Sequence, residues 1–155
     1  MTHLRQDWDD LASGEVIVPV SDESLWRQIS PTYYDESSSV IDDLAFRASK
    51  DEGYMLSVSR STQVTSAEDS YVHRTQVSKR PSVGVAAVTV QEVDEAGSRV
   101  IDDEAIQVSN PPTPGHAYID FRGLTKLQRE ELREELAIIA TDRGLVYGPI
   151  FDGTV

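Results

Sequence analysis

The sequence predicts an α+β fold: a single domain with a mainly antiparallel sheet, a long C-terminal amphipathic helix packed on it and a second short helix. Three observations carry that prediction. His116-Ala117-Tyr118-Ile119-Asp120-Phe121 alternates, the period of a strand with one face turned to a core. Thr125 and Gln128 form a capping box at the head of an amphipathic run that stops at Gly144, so a helix spans 125–143. Val83-Gly84-Val85-Ala86-Ala87-Val88-Thr89-Val90 is apolar on both faces and predicts the centre of the sheet.

The other elements follow in order. Residues 1–24 read as an N-terminal arm and residues 25–155 as the domain. In the arm, Leu4, Trp8 and Leu11 fall at helical spacing, and Glu15 to Val20 is a short strand candidate ended by Pro19. Leu25-Trp26-Arg27-Gln28-Ile29 is a strand stopped by Ser30-Pro31. Val40 to Phe46 reads equally as a short strand or one helical turn. Tyr54 to Arg60 alternates, with Leu56 and Val58 facing one way and Ser57 and Ser59 the other. Thr65 and Glu68 fit a capping box for a short helix from Ala67 to about Thr75. Asn110 to Gly115 is a stiff connector before the last strand and helix. On that helix Leu132, Leu136 and Ile139 form an apolar stripe, which Leu127 and Ile138 are expected to widen.

At 155 residues, 39% of them hydrophobic and 26% charged, the chain is expected to be one soluble globular domain and not a disordered one. It has no cysteine, which excludes disulfide scaffolds, thiol catalysis and cysteine-held metals. His3, His73 and His116 are the only histidines and none lies at ligand spacing from another, so no metal is expected. Nor does a glycine-rich loop cradle a phosphate, and no cofactor is expected. No signal-peptide core or membrane-length apolar run is seen, which makes the cytoplasm the expected compartment.

Net charge is −13 and unevenly spread. Residues 1–52 carry a net of −8 and residues 91–155 a net of −7, but residues 53–90 carry +2 through Arg60, Arg74, Lys79 and Arg80. An acidic surface repels nucleic acid and favours a protein partner with a basic surface. Tyr33-Tyr34 beside Asp35-Glu36 is an aromatic–acidic loop of the kind that meets such a partner.

Three groups of side chains are candidates for chemistry. Arg27 shares a strand face with Leu25 and Ile29, so its guanidinium is aimed at an apolar layer and needs a partner, either a carboxylate such as Asp42, Asp43 or Asp120, or a ligand anion. Ser57, Ser59 and Arg60 suit the floor of a polar ligand cleft. No Gly-x-Ser-x-Gly elbow surrounds either serine, so the pattern offers no hydrolase nucleophile. His116, Tyr118 and Asp120 project the same way, with His116 and Asp120 placed for acid–base work and Tyr118 for orienting a ligand.

The blocks Leu25–Ile29, Leu44–Arg47, Leu56–Val58, Val83–Val85 and His116–Ile119 together resemble a set of small bacterial proteins with no assigned function. Arg27 on an early strand, followed by Phe46-x-x-Ser49, also looks like the opening of ADP-ribosyltransferase-type domains. That resemblance implies that Arg27 and Ser49 hold a nicotinamide dinucleotide. The family's later Glu-x-Glu or Gln-x-Glu element has no match here, and Gln91-Glu92 has the wrong spacing. The leading expectation is therefore a small acidic cytosolic protein that binds another protein, as an immunity, antitoxin or accessory factor in a bacterial conflict system. The alternatives are a nucleotide-binding or ADP-ribosyltransferase-like enzyme built around Arg27, and a virion or structural subunit. Convergence of Arg27, Ser49 or Ser57, and His116 on one concave pocket would favour an enzyme or ligand binder, and a dispersed arrangement beside a flat acidic surface would favour protein binding.

Overall fold

The computed structural model describes residues 11–106 and 113–148. The helical spacing of Leu4 and Trp8, and the start of the Asn110–Gly115 connector, lie outside the described residues. Among the described residues are eight strands and three α-helices: β1 (Val16–Ile17), β2 (Ser24–Ile29), β3 (Tyr34–Asp35), β4 (Val40–Ile41), β5 (Met55–Arg60), α1 (Ala67–Val72), β6 (Gly84–Thr89), α2 (Val90–Glu95), β7 (Val100–Asp102), β8 (His116–Asp120) and α3 (Lys126–Arg143). The main sheet runs β1-β7-β8-β5-β2-β6 with every pair antiparallel, and β3 and β4 form a separate ribbon. The fold is α+β, as expected. No helix among the described residues is long and apolar enough to cross a membrane.

The register sorts the side chains into two faces, because directly paired residues point the same way. Leu25 pairs with Val88, Leu56 with Ile119 and Val58 with Ala117, and all six are buried in one core. Leu132, Leu136, Ala137 and Ala140 of α3 complete it, together with Phe46. Thr125 and Gln128 cap α3 reciprocally, as their spacing predicts. Leu127 and Ile138 do not widen the stripe: they are 63% and 64% exposed, because they lie outside the arc that α3 presents to the sheet.

Two expectations need correction. The apolar β6 is not the middle of the sheet; β5 and β8 are, and β6 ends the strand order. Its two-sided burial comes from α3 on one face, α1 on the other, and the segment after α3 along its free edge. There Val85 donates to Tyr147 O at 2.7 Å and Val146 donates to Val85 O at 2.8 Å. The approach is so close that a Cβ on Gly84 would meet Tyr147 O at 2.6 Å, and one on Gly148 would meet Val83 O at 2.7 Å. Second, the cap of α1 is Ser66, whose hydroxyl accepts from Asp69 N, and not Thr65. A third helix, α2, was not anticipated; Thr89 and Glu92 box its first turn directly after β6. The ambiguity at Val40–Phe46 resolves into both readings, with β4 followed by a 3-10 turn, Asp43–Phe46, capped by Asp42.

Candidate functional site

The face of the sheet opposite α3 carries Trp26, Gln28, Ser57, Ser59 and His116, by the same register. Gln28 Nε2 donates to Ser70 Oγ at 2.8 Å, which ties α1 to this face. Beyond Val72 the helix widens into a π-turn, His73–Val77, closed by Ser78 N donating to His73 O at 2.8 Å. Single π-turns are rare and concentrate at functional sites. Lys79 follows with φ at 56°, an uncommon conformation for a residue with a side chain. The effect is local and definite: His73, Arg74, Ser78 and Arg80 are all brought over the strands.

Between this segment and the sheet lies a cleft of about 220 Å³. It is lined by Arg27, Arg74, Arg80, His73 and His116, with hydroxyls from Ser57, Ser59, Ser70 and Ser78, and no carboxylate is among the described residues that line it. In a chain of net charge −13 that is a pronounced local inversion. Arg74 is the least satisfied member. Its Nε is buried and has no hydrogen-bond partner among the described residues. Burial, and then the like charge of Arg80, pull its pKa below the ordinary arginine value.

Arg27 comes to the cleft from beneath. Pairing of β2 with β5 stops after Leu25–Arg60 and Trp26–Ser59, and past that point the guanidinium takes over. Its Nε donates to Ala45 O at 3.0 Å and its Nη1 to Ser57 O at 2.9 Å. The expected carboxylate partner is therefore replaced by two backbone carbonyls. Burial pushes the Arg27 pKa down to about 10, opposed by the Glu52 charge and reinforced by that of Arg74. The cost of holding this cation out of water is thus only partly offset within the fold.

His116 binds on both sides. Its Nδ1 lies 2.5 Å from Asp103 Oδ1 and its Nε2 lies 3.1 Å from Ser57 Oγ. A carboxylate only accepts hydrogen bonds, so a neutral His116 carries its proton on Nδ1. The lone pair on Nε2 then faces the Ser57 hydroxyl, which donates to it.

Arg27, Ser57, Ser59 and His116 therefore converge, and the remaining candidates lie elsewhere. Asp120 is fully buried with Arg99 Nε at 2.9 Å and Arg122 Nε at 3.0 Å, so it is not the acid beside His116. The hydroxyl of the buried Tyr118 donates to Glu15, and the Arg122 guanidinium lies over its ring. Arg60 is held by Glu23 and Asp102. Ser49 caps a 3-10 turn through Glu52 N and lines a second basic hollow with Arg47, Lys50, Tyr54, Arg129 and Arg133, apart from the cleft that Arg27 lines. Tyr33 and Tyr34 pack against the core, whereas Asp35 and Glu36 are exposed. Among the described residues no group of histidines and carboxylates is arranged to hold a metal ion.

Sequence reasoning passed over Arg74, Arg80, His73, Ser78 and Asp103. One signal for the first two was present, the positive stretch 53–90 in an acidic chain. Nothing marked Asp103, whose role depends on a turn after β7 meeting the start of β8. No protein-family model, curated protein or solved structure matches this chain.

Proposed function

We propose that the protein binds a small anionic ligand, a phosphate or carboxylate group carrying little else, in the cleft between β5, β8 and the π-turn. The observation that carries this reading is the buried Arg74 Nε without an acceptor among the described residues, in a cleft that two further arginines line and no described carboxylate does. A buried donor left unpaired costs about 1–3 kcal/mol, and more when charged, so an anion there offsets a penalty already present. The cleft, at about 220 Å³, is below the roughly 300–1,000 Å³ of sites that enclose drug-sized molecules. A whole dinucleotide therefore exceeds it, and a single anionic group with a short tail does not. Inorganic phosphate is the direct probe. Titrated at constant ionic strength with chloride, saturating phosphate should raise the Tm by on the order of 5 °C. Arg74→Met should remove most of that rise. A Tm indifferent to phosphate in the wild type sinks the reading.

A second reading, a protein-binding role on the acidic side, is favoured by one observation. Val40 and Ile138 are 46% and 64% exposed on one groove, which Asp42, Asp43, Glu134 and Asp142 also line. Apolar side chains and acids lining one groove suit a partner with a basic rim and an apolar centre, and an immunity, antitoxin or accessory protein would engage its partner there. Asp42→Lys with Asp142→Lys should slow association with such a partner more than it quickens dissociation. An association rate that ignores ionic strength removes this reading.

A further inference from the structure

We propose that Ser57, His116 and Asp103 are a nucleophile, its general base and the carboxylate that orients the base, and that they cleave a carboxylic ester bearing an anionic group. The assignment rests on which atom meets which. Asp103 holds Nδ1 of His116 and Ser57 holds Nε2, so the imidazole is fixed in the tautomer that accepts a proton from the hydroxyl. Both His116 and Asp103 are largely covered, at 18% and 14% side-chain exposure, so water competes poorly for either contact. Ser57 and His116 both line the cleft, which places the hydroxyl where a bound molecule sits. The absence of a nucleophile elbow is no obstacle, since such an assembly is defined by geometry and not by flanking residues.

The chemistry balances with water as the only co-substrate. Ser57 Oγ attacks the ester carbonyl carbon as its proton passes to His116 Nε2, forming a tetrahedral oxyanion. Arg74 and Arg80 line the same cleft as Ser57, so one guanidinium can meet that charge while the other meets the anionic substituent. Collapse breaks the bond to the alcohol, which leaves with the proton from His116. A water then adds to the acyl-serine, giving its proton to His116, and the carboxylic acid departs as Ser57 recovers its hydrogen. Asp103 holds the imidazolium while it exists. The anionic substituent rests on the reading of the cleft as an anion site; the attack on the carbonyl does not.

The test uses an anionic reagent, 4-carboxybenzenesulfonyl fluoride, with modification located by intact mass and peptide mapping. The expected result is one sulfonyl adduct on Ser57, absent in Ser57→Ala and formed at least about 100-fold more slowly in His116→Gln and Asp103→Asn. The chain has no cysteine, so Ser57→Cys supplies a single thiol and a second readout. Iodoacetate should alkylate it at least about 10-fold faster than the same thiol in Ser57→Cys/His116→Gln. An adduct spread over other hydroxyls, or labelling and alkylation at residue 57 that ignore His116, overturns the proposal. The phosphate-induced rise in Tm, measured on the wild type, separates the two claims. Its survival with no Ser57 labelling in the wild type leaves an anion site without this chemistry. Its loss in the wild type with labelling intact leaves the nucleophile without the anion site.

Discussion

Arg27 Nη1 lies 2.9 Å from the carbonyl oxygen of Ser57, the residue whose hydroxyl faces His116. One side chain from the core face thereby fixes the backbone beneath the cleft at the point where β2 and β5 stop pairing. Two opposing terms decide what its removal does. Arg27→Ala loses two charge-assisted bonds to carbonyls, each worth about 1.5–3 kcal/mol, but also relieves a buried cation whose pKa is depressed. The expected net loss is about 2–3 kcal/mol in a urea melt at neutral pH, with no stranded acid. The sign of the pH dependence is fixed as well. Burial lowers the Arg27 pKa in the fold to about 10, so the penalty of the buried cation is present at neutral pH and is relieved, with a gain in stability, as pH rises through that value. Arg27→Ala should lack that increment.

The α3 contact is the most local of the predictions. Leu136 is fully buried and Ile138, two residues on, is 64% exposed. Leu136→Ala should cost about 2–5 kcal/mol by loss of burial and the cavity left behind. Ile138→Ala should stay within about 0.5 kcal/mol. Urea melts of both variants check the orientation of the helix; equal losses would place Ile138 against the sheet.

The closing of the β6 edge depends on two absent side chains. A Cβ at residue 84 meets a carbonyl oxygen at 2.6 Å and Leu145 Cδ1 at 2.9 Å, and the first of these belongs to backbone that cannot rotate away. Gly84→Ala should therefore lift the segment after α3 from β6 at a cost of about 1–3 kcal/mol. Hydrogen exchange at the Val85 and Val146 amides should accelerate before global unfolding. Unchanged protection at both would mean that the edge is held elsewhere.

Elements whose signal is local were legible in the sequence: the alternation of β5 and β8, the capping box of α3, the Ser30-Pro31 stop after β2. What escaped it is set by non-local contact. The apolar β6 reads as a centre because periodicity reports burial and not position in the strand order. Likewise, the partner of His116 could not be read along its own strand. Asp120 is nearer in sequence and on the same face, but two same-face steps of about 6–7 Å each separate it from His116, so the imidazole reaches across to Asp103 on the adjoining turn. Arg27, Ser57, Ser59 and His116 were visible singly as residue types on strands. Arg74 was not, because its place over the cleft is made by a π-turn that no spacing rule announces.

Asp120 offers the cleanest test of electrostatics in this fold. Burial on its own pushes its carboxyl up, yet hydrogen bonds from Arg122, side chain and backbone, and from Arg99 outweigh burial and hold it below the ordinary aspartate value. An acid whose pKa is lowered on folding contributes stability that is fully present above its unfolded value, about 3.9, and is lost as pH falls through the folded value. Asp120→Asn keeps the shape and removes the charge, leaving two guanidinium groups against a neutral amide. At pH 7 the variant should be less stable by about 3 kcal/mol. Between pH 5 and 8 the gap between the two proteins should be flat. Below about pH 4 it should narrow, because the unfolded wild-type chain takes up a proton at Asp120 that the fold still excludes. Urea melts of both proteins at pH 7, 5 and 3 give the gap directly. A gap that persists undiminished at pH 3 would assign Asp120's contribution to packing and neutral hydrogen bonds, and the two arginines would then be bystanders.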